Sequence, residues 1–155
     1  MLISVMSDTH LSKHYIKKAC SNLTNVDVLI HLGDNVQDID EIKKYYNGEL
    51  IYIRGNCDDE EIPSEKTFLL GGKKFFITHG DRYGVKYSMM KLEYRAKELE
   101  ADIVLFGHTH ISQIDFNDGI WYINPGSVSY PRNASNSTAY IEIVDGEIHP
   151  KINNL

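Results

Sequence analysis

Five short apolar runs in this chain each end in residue types that hold metal ions or move protons. The run at 2–6 leads into Asp8-Thr9-His10, and the run at 28–30 into His31-Leu32-Gly33-Asp34. Residues 50–53 lead into Gly55-Asn56-Cys57-Asp58, 75–77 into Thr78-His79-Gly80-Asp81, and 103–106 into Gly107-His108-Thr109-His110. Imidazole is the commonest metal-binding side chain, and carboxylate and carboxamide oxygens are hard ligands. Asp8 and His10, one residue apart at a strand end, can both reach one ion. Asp34 has two oxygens and can bridge two cations; Asn56 offers a neutral amide oxygen; His79, His108 and His110 offer nitrogens. Singly, each has an ordinary role: an Asp after a strand caps a helix, Gly-Asn turns the chain, a lone His satisfies a hydrogen bond. Together at five strand ends they point to one polynuclear metal site. Lacking thiolate, the donor set suits Mn, Fe, Co, Ni or Zn, with Mn2+ or Ni2+ favoured.

These residues need elements that bring strand ends to one rim. The first half alternates strand and helix: strand 2–6, helix 12–22, strand 26–31, helix 38–46, strand 50–54. Such alternation implies right-handed βαβ units and parallel strands, whose ligands bind beyond the carboxyl ends. Leu69-Leu70-Gly71-Gly72-Lys73 reads as a hairpin into 75–78, and Val85, Met89, Leu92, Ala96 and Leu99 keep a helical period over 85–100. After Gly107 the pattern turns antiparallel, with strands 113–116, 120–123, 138–144 and 148–152 around Asn117-Asp118-Gly119 and Asp145-Gly146 turns. The fold class is α/β, with two stacked sheets flanked by helices and the site at the C-terminal ends of strands. Asn124-Pro125-Gly126-Ser127 is a turn back toward that rim.

A chain of 155 residues suits one domain, 1–155, with no linker, repeat or low-complexity tract. The formal charge of -6 argues against a general nucleic-acid-binding surface, though not against a phosphate substrate, since bound cations reverse the local sign. Cys20 and Cys57 are too few for a disulfide framework; Cys20 sits in a helical pattern as a small core residue. No run approaches a membrane span of roughly 18 apolar residues, and the strand starting at Leu2 leaves no room for a signal peptide. The expectation is a cytoplasmic protein without membrane contact.

The ordered series Asp8-x-His10, Gly33-Asp34, Gly55-Asn56-Cys57-Asp58, His79-Gly80 and Gly107-His108-Thr109-His110 resembles the calcineurin-like metallophosphoesterase superfamily. The short length, the Gly-Asn-Cys-Asp variant and Asn124-Pro125-Gly126-Ser127 are similar to its small, compact phosphodiesterase branch. The resemblance covers roughly Leu2 to Val144 and implies a four-layer α/β/β/α sandwich of two mixed sheets. It implies two divalent ions, one held by Asp8, His10, Asp34 and His110, the other by Asp34, Asn56, His79 and His108. The implied activity is hydrolysis of a small phosphodiester or nucleotide-type substrate by a metal-bridging water or hydroxide. The alternative on the same site is a phosphomonoesterase. A retromer scaffold subunit of similar fold, with an incomplete metal site, supplies a third reading, protein binding, against which the complete ligand set speaks.

The position after Asn56 departs from larger relatives, which carry a His there. Cys57 is a poor general acid for an alkoxide, with an ordinary thiol pKa near about 8.5; it packs beneath the metals or yields the proton role to Asp58 or His14. Ser127 and Arg132 are considered for phosphate contact, with turn and surface roles as the plainer reading. Specificity is expected in loops 58–66, 82–87 and 133–137, with Tyr83, Tyr87 and Tyr130 available to stack on a base. A homo-oligomer is compatible with the sequence.

Overall fold

The computed structural model describes residues 1–133 and 135–155; Ala134, inside the expected specificity loop 133–137, lies outside them. Strands β1 (Leu2–Met6), β2 (Val28–His31) and β3 (Glu49–Tyr52) run parallel, joined by helices α1 (Lys13–Cys20) and α2 (Ile39–Ile42). Strands β4 (Glu65–Leu70), β5 (Lys73–Thr78), β6 (Ile103–Leu105), β7 (Ser112–Asn117) and β8 (Ile120–Pro125) build a second sheet, with α3 (Met90–Glu98) between β5 and β6. The chain returns to the first sheet through β9 (Ser137–Val144) and β10 (Glu147–Asn154). The sheet orders are β10-β9-β1-β2-β3 and β4-β5-β6-β8-β7.

Both sheets are mixed. In the second, β5, β6 and β8 are parallel, while β4 and β7 are antiparallel edges. Alternation along the strands sorts side chains between layers. Ile3, Val5, Val28 and Ile30 face Phe75, Ile77, Ile103 and Leu105 across the inter-sheet core. Met6 and Leu29 point outward to Ile16, Ala19, Leu23 and Ile42 under α1 and α2. Phe76, Val104 and Phe106 point outward to Leu92 and Ala96 of α3. The layers are therefore α/β/β/α. Among the described residues no helix is long and apolar enough to cross a membrane.

Two helices are shorter than their sequence period. The expected helix at 38–46 is a 3-10 turn, Val36–Asp38, followed by Ile39–Ile42. Its end tightens as Lys44 N–H bonds to Glu41 O, and the Tyr46 hydroxyl is drawn inward to the Val26 and Asp27 carbonyls. The helix expected at 85–100 begins only at Met90. Val85 and Met89 still pack on the α3 core, but Gly84, at φ 63°, leads a turn whose carbonyl accepts from Tyr87 and Ser88. Apolar spacing there reports burial, not helix.

Candidate metal centre

The five ligand-bearing segments follow β1, β2, β3, β5 and β6, so all open on one rim. Two glycines set the approach of two of these loops. A side chain on Gly33 (φ +96°) would lie 2.3 Å from Gly55 N, and one on Gly55 would lie 2.2 Å from Asp34 Oδ1. Only bare backbone lets the β2 and β3 loops meet there. Asp58 locks the junction: its carboxylate, 5% exposed, accepts N–H bonds from Asp34 (2.9 Å), Val36 (2.8 Å) and Gly55 (2.8 Å). With both oxygens engaged as acceptors, Asp58 positions the loops and is not poised as a proton donor. Cys57 N–H adds a 3.0 Å bond to Asp34 Oδ1.

Ligand atoms of Asp8, His10, Asp34 and His110 gather within 4.8 Å of one another. Asp34 divides its oxygens: Oδ1 lies 3.3 Å from His79 Nε2, and Oδ2 lies 3.9 Å from His10 Nε2. Asp8 Oδ1 lies 3.1 Å from His110 Nε2 and 4.0 Å from His79 Nε2. The imidazoles pair off, His10 with His110 and His79 with His108, each at 5.1 Å between ring centroids.

Three of these rings are held through Nδ1. His79 Nδ1 donates to Leu32 O (2.8 Å), His110 Nδ1 to Tyr130 O (2.7 Å), and His10 Nδ1 to Asn35 Oδ1 (3.0 Å). Such bonds fix the tautomer and aim Nε2 at the site. In the neutral rings each Nε2 then presents a lone pair to carboxylate oxygens, and the Nε2 atoms of His10 and His110 face each other at 3.4 Å. Asp8 Oδ1 and His79 Nε2 are buried without a hydrogen-bond partner. Electron-rich atoms facing one another across 3–4 Å lack an attractive partner until a cation lies among them. The donor set thus fits divalent metal.

Without metal, protons answer that demand. Burial pulls the His79 imidazole down, but the Asp34 carboxylate 3.3 Å from Nε2 and the charge of Asp8 outweigh it and raise its pKa to about 9. His110 is raised by its contact with Asp8. Burial raises both carboxyls, yet His110 and His79 beside Asp8, and His79 beside Asp34, hold them below the usual range. His108 is lowered by burial and by the charges of His79 and Lys86.

The backbone is strained where ligands are. Asp8 (φ 55°), His10 (42°), Asp34 (61°), His108 (66°) and His110 (60°) all occupy the left-handed region. Such conformations cluster at functional sites.

The remaining expected residues are scattered. Asn56 is exposed and its Nδ2 donates to Cys57 Sγ at 3.3 Å. Cys57 is exposed rather than packed beneath the site: its backbone N–H and its thiol both lie against Asp34 at the edge of the cluster, and the residue stays open to solvent. Burial and Asp34 push that thiol up to about 11. His14 is exposed on α1, against Tyr15. Ser127 is fully buried and donates to Asp8 O (2.8 Å), which removes it from phosphate contact. Ser129 donates to the same carbonyl, and Asn124 Nδ2 to Gly107 O and Thr109 Oγ1. These supports, with Asn35 and Asp58, were not singled out as such from the sequence; the Asn-Pro-Gly-Ser turn was the one available signal. Tyr130 packs edge-on to His10 at 5.5 Å, whereas Tyr83 packs edge-on to Phe76 at 5.9 Å and donates to Glu65.

Comparison with known proteins agrees with this geometry. A family model described as the calcineurin-like phosphoesterase superfamily domain matches residues 1–146. The chain is 34% identical over 136 residues to the probable metallophosphoesterase YsnB of Bacillus subtilis, covering 85% of this chain and 78% of that one. It is 34% identical over 145 residues to a phosphodiesterase of Methanocaldococcus jannaschii, covering 81% and 83%. A crystal structure of a predicted phosphoesterase of Streptococcus pneumoniae superposes with TM-score 0.84 at 28% identity, covering 99% and 88%. A Vps29 variant of Entamoeba histolytica shares the fold at 19% identity, with TM-score 0.76 over 100% and 99% of the chains.

Proposed function

The chain belongs to the calcineurin-like phosphoesterase superfamily, and from that premise we propose that it is a dinuclear metal-dependent phosphodiesterase acting on a small phosphodiester or nucleotide-type substrate. The observation that carries this reading is the Asp34 carboxylate, with Oδ1 turned to His79 and Oδ2 to His10, the posture of a bridging ligand. One ion would be held by Asp8, His10, Asp34 and His110, the other by Asp34, Asn56, His79 and His108. Two divalent ions bound there would supply Lewis acidity and a nucleophilic water at neutral pH.

The chain's own residues do the rest. Asp8 and Asp34 offset half of the charge of two divalent ions, so the centre stays attractive to phosphate in an acidic protein. Leu32 O, Tyr130 O and Asn35 keep Nε2 of His79, His110 and His10 free for coordination. Asp58 holds the Asp34 and Gly55 amides in register. Cys57 keeps its proton at neutral pH and is a weak acid, which favours leaving groups that depart without strong general-acid help. Mn2+ or Ni2+ is the favoured ion pair, with Fe, Co or Zn as substitutes. The exposed free thiol of Cys57 suits a reducing, cytoplasmic setting.

Metal-stripped protein given Mn, Ni, Zn or Mg singly is expected to regain hydrolysis of bis-p-nitrophenyl phosphate in preference to p-nitrophenyl phosphate. Monoester preference would make it a phosphatase. Folded, metal-loaded protein inert to both, with Asp34→Asn binding metal as the native chain does, would sink the bridging reading and favour a binding scaffold.

A further inference from the structure

A cavity of about 340 Å³ reaches the His108-Thr109-His110 turn at Thr109, lined by Val85, Lys86, Thr109, Ile111, Gln113 and Arg132. Its lining holds two cations and no acid, in a protein of formal charge -6. Lys86 follows the His79-Gly80 segment and Arg132 comes from the loop before β9, so the two cations arrive from different parts of the chain. Among the described residues neither is in an ion pair, and neither side chain donates a hydrogen bond to protein. Arg132 N–H bonds to His110 O at 2.9 Å, which ties the Arg132 backbone to a ligand-bearing turn. Asp81 also acts on His108, but it does not line the cavity.

Two cations that no described protein group engages, beside a candidate metal centre, offer a place for an anion. The catalytic phosphoryl group belongs among the carboxylates and Nε2 atoms of the cluster, none of which lines this cavity. We propose that this cavity is a subsite for a second anionic group, a carboxylate or a phosphate, carried on one arm of the substrate. The inference rests on the phosphodiesterase reading and narrows it. Lys86 and Arg132 would bind the terminal charge, Arg132 with the fork that suits planar or tetrahedral oxyanions. Val85 and Ile111 would cover the apolar stem, and Thr109 and Gln113 would take polar groups along it. The volume suits a short arm and not a polymer.

The test uses three p-nitrophenyl phosphodiesters with matched arms: propyl, 2-carboxyethyl and 2-phosphoethyl. Metal-loaded wild-type protein is expected to prefer both anionic arms by about 10-fold in kcat/KM, mainly through KM, with the preference shrinking at high salt. Lys86→Gln/Arg132→Gln should remove that preference, and the ratio between the two anionic arms tells carboxylate from phosphate. Both residues are exposed, so folding is not at stake. Calorimetric binding of 2-carboxyethyl phosphate against propyl phosphate gives a second readout that needs no turnover. Equal binding and equal turnover of charged and neutral arms, or a preference that survives the double variant, would overturn the subsite. Tighter binding of the charged arm, lost in the double variant, in a protein that hydrolyses no diester would keep the subsite and overturn the phosphodiesterase reading.

Discussion

The imidazoles that flank Asp8 and Asp34 come as two couples, and the couples are held differently. His10 and His110 are both fixed through Nδ1, and with the two carboxylates they form a quartet gathered within 4.8 Å. In the other couple only His79 is fixed, buried and bonded to Leu32 O. The His108 ring has no hydrogen bond among the described residues, and Asn56 is exposed with its amide on Cys57. One half of the centre is a formed cradle; the other has one rigid wall and two adaptable ligands. Pre-organised donors bind more tightly because less ordering accompanies binding. On the proposed dinuclear reading, two ions of unequal affinity are expected, the weaker one on the His79/His108 side.

The largest effect should come from the residue both halves share. Asp34→Asn is expected to lower kcat/KM for a diester by about 10³-fold while the protein stays folded by circular dichroism; near-native turnover would remove Asp34 from the bridge. The next experiment separates the halves. His110→Gln should weaken the tighter ion by roughly 10²-fold and His108→Gln should weaken only the looser one, by roughly 10-fold, in calorimetric metal titrations. Equal losses on one ion would erase the distinction between the couples. A smaller effect tests the anchoring itself: Asn35→Ala frees the His10 ring and should cost about 10-fold in affinity for the tighter ion, while leaving the looser one alone.

The mildest probe is pH on metal-free protein. His79 has its folded pKa raised to about 9 from 6.5, so its stabilisation is complete below 6.5 and is lost as pH rises through 9. His31 is the opposite case. It is fully buried, takes Gly33 N–H on Nδ1, and burial lowers it to about 4; stability is therefore lost as pH falls from 6.5 toward 4. Thermal melts should show a maximum near neutrality, with Tm dropping on the order of 5–10 °C by pH 9.5. Metal affinity should rise over the same alkaline window, as the proton leaves His79 Nε2. A flat alkaline limb would mean that His79 is not the proton's host.

Candidate ligands are legible because their signal is local: a buried strand has a readable period, the side chains just past its end announce their chemistry, and four of them, Asp8, His10, Asp34 and His110, do gather in one cluster. Two stacked sheets flanked by helices followed from the same pattern, and the four-layer α/β/β/α order from the family resemblance. What stayed hidden depends on pairs of loops. Asp58 reads as a candidate acid beside Asn56, yet three amides from two segments consume it. Cys57 lies one residue past Asn56 and against Asp34, yet stays exposed. The 38–46 and 85–100 periods overstate helix because Tyr46, Val85 and Met89 are buried without being helical.

The left-handed backbone at Asp8, His10, Asp34, His108 and His110 bears on what this architecture can become. A side chain in that conformation is disfavoured by about 1 kcal/mol or more, and glycine relaxes that penalty. Asp8 and Asp34 have a second role in the metal-free protein, because each holds an imidazole whose pKa it raises, His110 and His79. A descendant relieved of catalysis would therefore keep the sandwich, shed His10 and His108 first, and retain the Asp8–His110 and Asp34–His79 pairs longest.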